Sequence, residues 1–182
     1  DDVGAKTTIS LLNGWKMHWC GERENCPCWP YGGNVALLTY IWEPFMKQDV
    51  RHCQATHPRS LIMVVDDELE SLANRVAHEY TERRLRKLPK SEFREELATR
   101  RRVKLNASTG LLGVVIAFGL CQQVSLFGFD RNATQHHFFE NITKREYLDH
   151  DFKSEVNFYR DLAAGTSSLG QVFPLPPTRF IE

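Results

Sequence analysis

"SLIMVVDDELESLANRVAHEYTERRL", residues 60–85, passes from an unbroken apolar run into a stretch with a different period. The run at 60–65 is short enough to be a buried strand. Beyond it, Leu69, Leu72, Val76 and Tyr80 recur at the spacing of one helix face, behind acidic residues that suit a helix N-terminus. A buried strand feeding a helix is the local unit of an α/β fold. Working upstream, "NVALLTYIW" at 34–42 reads as another such strand, preceded to about Gly33 by an irregular opening rich in Gly, Pro, Cys and Trp. Downstream, Ser108 can cap a helix from about Thr109 to Gln122, and "VSLFGF" at 124–129 follows as a third buried strand. Phe152, Val156 and Tyr159 mark one face of a last helix, about Asp151 to Ala164, stopped by Gly165. No internal repeat is visible. The alternation predicts an open, largely parallel sheet flanked by helices, in which ligands sit at the carboxyl ends of strands and at helix N-termini.

Length and charge bound the function classes. A chain of 182 residues can bury the core of one domain without staples. Its 23 basic residues balance its 23 acidic ones, so net charge points to no nucleic acid. The mixed run at 81–104, "TERRLRKLPKSEFREELATRRRVK", reads as solvated surface, either an exposed helix with i,i+4 pairs or a loop. The longest apolar run, Leu111 to Cys121, is about half of the roughly 20 residues a membrane span needs. Any membrane anchor is therefore expected upstream of Asp1.

The five cysteines, Cys20, Cys26, Cys28, Cys53 and Cys121, form no zinc knuckle, because Cys26-Pro27-Cys28 has the wrong spacing. His52-Cys53 leaves a metal site open. Three sequons, at Asn106, Asn132 and Asn141, favour a secretory compartment, where disulfides form. Five is odd, so in an oxidising lumen one cysteine needs a partner outside this segment.

Ser108, Thr109 and Gly110 fall at a helix N-terminus, whose free backbone N–H groups and partial positive charge suit an anion. Taken alone, they are better explained as a plain helix cap. Their company extends the reading: "STGLLGVVIAFGLCQQVSLFGF" (108–129), "HFFE" (137–140) and "HDFKSE" (150–155) stand in that order. Together they resemble the small, third and very small motifs of the eukaryotic sialyltransferases, glycosyltransferase family 29. "DVGAKTT" at 2–8 is similar to the end of the family's large motif.

The resemblance implies a GT-A-like, Rossmann-type α/β fold, with residues 1–182 forming the carboxyl-terminal part of a single catalytic domain whose first strands lie upstream. It implies a metal-independent, inverting transferase in the Golgi lumen, anchored through an upstream segment. The donor would be CMP-sialic acid, the acceptor a glycan on glycoprotein or glycolipid, and no cofactor is needed. By position, His150 matches the general base, His137 the contact to the donor phosphate, and Ser108, Thr109 and Gly110 the donor-contacting opening. Asn106, Asp130 and Glu155 are further candidate contacts to donor or acceptor. Cys121 matches a cysteine that pairs with one in the large motif, outside this chain.

Two departures bear on the donor. Many members read Tyr-Pro-Ser-Thr-Gly where this chain has Asn106 and Ala107, and Gly-Phe-Gly where it has Gly128-Phe129-Asp130. An aspartate about 4 Å from an anionic sugar nucleotide costs on the order of 1 to 4 kcal/mol unless it turns away or binds a hydroxyl. Another CMP-activated acid sugar such as Kdo is the nearest alternative, and a non-catalytic glycan- or nucleotide-binding protein or fragment is a reading from a different class.

"VVDDELE" at 64–70 could be mistaken for the acidic metal-binding motif of other GT-A enzymes. A CMP donor carries one phosphate, which a helix N-terminus and a histidine can serve without a divalent ion. Transfer by the intact enzyme is therefore expected to survive EDTA. Activity lost to EDTA and restored by manganese would reassign Asp66, Asp67 and Glu68 as metal ligands.

Overall fold

A computed structural model of the chain describes residues 8–14, 28, 35–41, 43–100, 105–129, 135–137, 140–141, 149–167 and 178–180. The backbone forms two compact units, residues 1–67 and 68–182.

The first unit is a parallel sheet with one crossover helix. Strands β1 (Ile9–Asn13), β2 (Ala36–Tyr40) and β3 (Ile62–Val64) lie in the order β1-β2-β3. Ile9 pairs with Ala36, and Leu37 with Ile62. A central parallel strand must be apolar on both faces, and in β2 Leu37, Thr39 and Tyr40 are all buried. Helix α1 (Met46–Thr56) joins β2 to β3 and turns Met46, Val50 and Cys53 inward at helical spacing. Gln54 Nε2 donates to the Ile62 carbonyl at 2.9 Å, fixing α1 beside β3. The core gathers Leu12, Leu37, Ile62, Val50, Cys53 and Cys28, so every element of the unit contributes to it.

Cys28 and Cys53 form a disulfide across a separation of 25 residues. Cys53 is therefore not a metal ligand, which removes the site left open at His52-Cys53. Among the described residues no group of three or more His, Cys, Asp or Glu is gathered in a metal-binding arrangement. None of the described helices is long and apolar enough to cross a membrane.

The second unit begins in the first turn of α2 (Asp67–Leu85), which buries Leu72, Ala73, Val76, Ala77 and Tyr80. Helix α3 (Lys90–Arg100) follows, then α4 (Thr109–Leu120) and β4 (Val124–Leu126). Strands β5 (Gln135–His137) and β6 (Glu140–Asn141) pair antiparallel. Helix α5 (Phe152–Ala163) and β7 (Thr178–Phe180) complete the order, and β7 pairs parallel with β4. Val156, Phe158, Tyr159 and Leu162 are buried on α5, each stabilising the fold by roughly 1.5–3 kcal/mol. Packing of that face, more than propensity, holds the helix. Gly165 stands just beyond α5 at φ 69°, the left-handed conformation that ends a helix and that glycine adopts without strain. Tyr80 and Phe158 meet edge to face at 5.2 Å, joining α2 to α5. The Tyr80 hydroxyl donates to Asp161 Oδ2 at 2.8 Å, and burial together with that bond pushes its pKa up to about 12.

The α/β architecture and the parallel pairing agree with the sequence pattern. Five elements it did not reveal are α1 and the strands β1, β5, β6 and β7. The inward face of α1 is short and mixes Asp49 with Met46, Val50 and Cys53, and β1, β5, β6 and β7 are runs of two to five residues, too short to show a period. The strand expected at 124–129 is shorter and less buried, with Ser125 and Phe127 exposed. Among the described strands it pairs with β7 alone, not with β1–β3.

Closing a loop of 25 residues removes denatured-state freedom worth about 3 kcal/mol. The double variant Cys28→Ala, Cys53→Ala should lower the melting temperature of the intact protein by several degrees. Dithiothreitol should lower the melting temperature of the wild type by more than that of the variant.

Candidate functional site

The apolar helix α4 begins at Ser108, whose extended backbone (φ −69°, ψ 160°) leaves its side chain free to cap the first turn. Its Oγ accepts from the Leu111 N–H at 3.1 Å. The same hydroxyl donates to Glu155 Oε2 at 2.6 Å, and the Ser108 N–H donates to Glu155 Oε1 at 2.8 Å. Glu155 stands in the first turn of α5 and is only 3% exposed. A carboxylate in that position costs several kcal/mol unless each oxygen is bonded, and Ser108 serves both. Burial raises the Glu155 pKa above its ordinary value; the two bonds from Ser108 and the charge of His150 oppose that rise without cancelling it.

His150 is held two residues before α5. Its Nδ1 lies 3.0 Å from the Asn106 carbonyl oxygen, and the Asn106 N–H donates to the Asp149 carbonyl at 3.0 Å. A carbonyl can only accept, so Nδ1 carries the proton and Nε2 is the basic nitrogen of the neutral ring. Segments 106–108 and 149–155 are thus joined by four hydrogen bonds that span more than 40 residues of sequence.

Gly110 has a packing reason. A Cβ there would lie 2.8 Å from Phe129 Cε1, too close for any side chain without moving the ring. The Phe129 ring meets Tyr159 edge to face at 4.7 Å, and the Tyr159 hydroxyl stands 3.5 Å from Glu155 Oε2. Burial first, and then the Glu155 charge, raises the Tyr159 pKa well above the phenol range, so this hydroxyl stays protonated at neutral pH.

The expected residues separate into groups. Ser108, Thr109, Gly110, Asn106, His150 and Glu155 come together, with Ser108 and Glu155 buried and Thr109, Gly110, Asn106 and His150 half-buried. His137 is placed by its backbone in β5, opposite Glu140 of β6, and its side chain lies outside the described residues. So does Asp130. Cys121 follows α4 with a free, exposed thiol.

Arg84 is the residue the sequence pattern missed. Its guanidinium pairs with Glu96 of α3 and donates to Asp151 Oδ2 at 2.8 and 3.0 Å and to Ser154 Oγ at 3.1 Å. The run at 81–104, read as solvated surface, does carry the exposed i,i+4 pair Glu82–Arg86, and its Arg83 pairs back to Glu79 just before it, but Arg84 turns inward. Nothing in the local charge pattern distinguishes it from its neighbours.

Comparison with known proteins supplies a wider context. Residues 1–166 match the family described as Glycosyltransferase family 29 (sialyltransferase). A sialyltransferase-like protein 1 of Oryza sativa subsp. indica is 38% identical over 166 residues, 89% of this chain and 42% of the relative. A beta-1,6-galactosyltransferase of Arabidopsis thaliana is 34% identical over 88% of this chain and 40% of its own length. A sialyltransferase-like protein 2 of Oryza sativa subsp. indica is 34% identical over 98% of this chain and 48% of its own length. The chain thus spans about two-fifths to a half of the length of these relatives. No solved structure matches.

The buried carboxyl has a sign that can be measured. Because the folded pKa of Glu155 is raised, the folded protein holds this proton more tightly than the unfolded chain. This group's contribution therefore falls as pH rises from the unfolded value of about 4.3 to the raised folded one. Glu155→Gln removes that titration, so wild-type stability should decline relative to the variant across this window in urea unfolding between pH 4 and 8. A difference independent of pH would show an unperturbed carboxyl.

Proposed function

Because the chain belongs to glycosyltransferase family 29, the sialyltransferase family, we propose that it forms the carboxyl-terminal part of one catalytic domain that transfers a sugar to a glycan hydroxyl with inversion, His150 being the general base. The observation that carries the base assignment is the bond between Nδ1 of His150 and the Asn106 carbonyl, which leaves Nε2 as the proton acceptor. Imidazole holds a useful neutral fraction near neutral pH, as a base must.

Inversion requires attack on the anomeric carbon from the face opposite the leaving nucleotide. His150 takes the proton from the acceptor hydroxyl as the new C–O bond forms and the bond to the nucleotide phosphate breaks. His137 neutralises the departing phosphate. Within the opening of α4, Ser108, Thr109 and Gly110 meet the donor, with the Ser108 side chain held in place by Glu155 and the Leu111 N–H. Ser108 and Glu155 hold that opening in place. Asn106 and Asp130 approach the sugar.

The donor we favour is CMP-sialic acid, with CMP-Kdo as the nearest acid-sugar alternative and a non-catalytic binder as the alternative outside catalysis. A second reading, galactosyl transfer, is favoured by the relative named a beta-1,6-galactosyltransferase. No cofactor is required. The site lies in the Golgi lumen, on a protein anchored through a segment upstream of this chain.

His150→Ala in the intact enzyme should lower kcat by roughly 10² to 10⁴ and leave nucleotide affinity nearly unchanged, the loss expected for a positioned base. Turnover should be assayed with CMP-sialic acid, CMP-Kdo and UDP-galactose in parallel, with CMP and UDP binding followed by thermal shift. Near-normal turnover of the variant would remove the base assignment, and an equal loss of nucleotide affinity would make His150 a donor ligand. Turnover of UDP-galactose alone would select the galactosyl reading.

A further inference from the structure

We propose that Asn74 of α2 is a positioning residue for His150: it locks the peptide plane between Asn106 and Ala107, whose carbonyl orients the imidazole ring. Its consequence for turnover rests on His150 acting as the base, whereas its hold on the orientation of the ring does not.

Consecutive backbone N–H groups of the segment before α4 go to different partners. Asn106 donates to the Asp149 carbonyl at 3.0 Å, Ala107 to Asn74 Oδ1 at 2.8 Å, and Ser108 to Glu155 Oε1 at 2.8 Å. The outer bonds tie the segment to residues 149–155, and the central one ties it to α2, another helix of the same unit. An N–H can only donate, so the atom of the Asn74 amide that faces Ala107 is its oxygen. Asparagine is a weak former in the middle of a helix, and Asn74 stands mid-helix beside the buried Ala73. The partner of its side chain lies 33 residues further along the chain.

The Ala107 N–H and the Asn106 carbonyl are the two ends of one peptide unit. No peptide bond among the described residues is cis, so the two groups point in opposite directions within one rigid plane. Asn74 holds the N–H end at 2.8 Å, and His150 Nδ1 meets the carbonyl end at 3.0 Å. Turning the carbonyl away from the ring therefore requires breaking the bond to Asn74. The two bonds also stand in series across the peptide, an arrangement in which each polarises and strengthens the other. Proline, which many family members carry at this position, fixes its own φ and offers no N–H; Ala107 lacks that constraint, and Asn74 supplies the hold from outside. Ser108 is held separately, by both oxygens of Glu155. Loss of Asn74 is thus felt at His150 rather than at the opening of α4.

The test compares Asn74→Ala with Asn74→Asp, which keeps an oxygen where the amide oxygen stood, in the intact enzyme. Nitrogen NMR shifts of isotope-labelled histidine rings, read at a pH where the rings are neutral, report which ring nitrogen carries the proton; the His150 signal is the one lost in His150→Ala. In the wild type that proton should sit on Nδ1. Asn74→Ala should turn the signal into that of a mixture of both tautomers. It should also lower kcat roughly ten- to a hundredfold, the loss that about 1 Å of misplacement brings, with donor KM nearly unchanged. Asn74→Asp should keep the Nδ1 tautomer and most of kcat. A folded Asn74→Ala with the wild-type tautomer overturns the proposal, and so does a loss in Asn74→Asp equal to that in Asn74→Ala. A donor KM that rises as kcat falls overturns it too, by making Asn74 a support of the α4 opening. Should Asn74→Ala fail to fold, Asn74→Leu fills a similar volume without the acceptor and carries the same expectations. Should the tautomer change while His150→Ala retains normal turnover, the base reading fails and the hold of Asn74 on His150 stands.

Discussion

The bond between the Glu155 carboxyl and Ser108 is the constraint on which the site depends. A carboxyl 3% exposed is tolerable only with both oxygens served, and the backbone N–H and hydroxyl of one serine serve them. The consequence runs in both directions. Ser108 can orient the first turn of α4 only where α5 presents Glu155, and α5 can bury Glu155 only where α4 begins. Removing either partner leaves a buried polar group unsatisfied, at a cost of about 1–3 kcal/mol. The hydroxyl proton of this serine is thereby committed to Glu155.

The starts of α4 and α5 are built alike. Each is capped by a side chain that also bonds another helix: Ser108 reaches from α4 to α5, and Asp151 reaches from α5 to Arg84 of α2. His150 stands beside the second cap and is tied to the residue two before the first. Local capping worth about 1 kcal/mol at each helix is thereby turned into positional control over one imidazole ring. Loops alone would not hold a ring to that tolerance, because their own backbone bonds exchange with water.

Aromatic packing supplies the stiffness behind this arrangement. Phe129 closes on Gly110 and meets Tyr159, while Phe158 meets Tyr80. Edge-to-face pairs of this kind add about 0.5–1.5 kcal/mol beyond the area they bury. They join α4, the residues after β4, α5 and α2 within one unit. Residues 108–110 and 150–155 are therefore held on a packed base, while the disulfide-closed parallel sheet of residues 1–67 has its own core.

The sequence by itself determined the α/β class, the helices at 67–85, 109–120 and 152–163, and the residues expected to carry chemistry. Periodicity, caps and stop signals are local, and Ser108, Asp151 and Gly165 act where they stand in the chain. The family motifs were legible for the same reason, since each is a short run with fixed spacing. What only the tertiary structure decided is how those runs meet. That the disulfide pairs Cys28 with Cys53, that β4 pairs with β7, and that Glu155 bonds Ser108 rather than facing solvent each join residues 25 to 54 positions apart. Arg84 was hidden most completely, because an inward arginine among exposed ones has no local signature. Its direction is set by two carboxylates, one on α3 and one at the cap of α5, that come near it only when the helices pack.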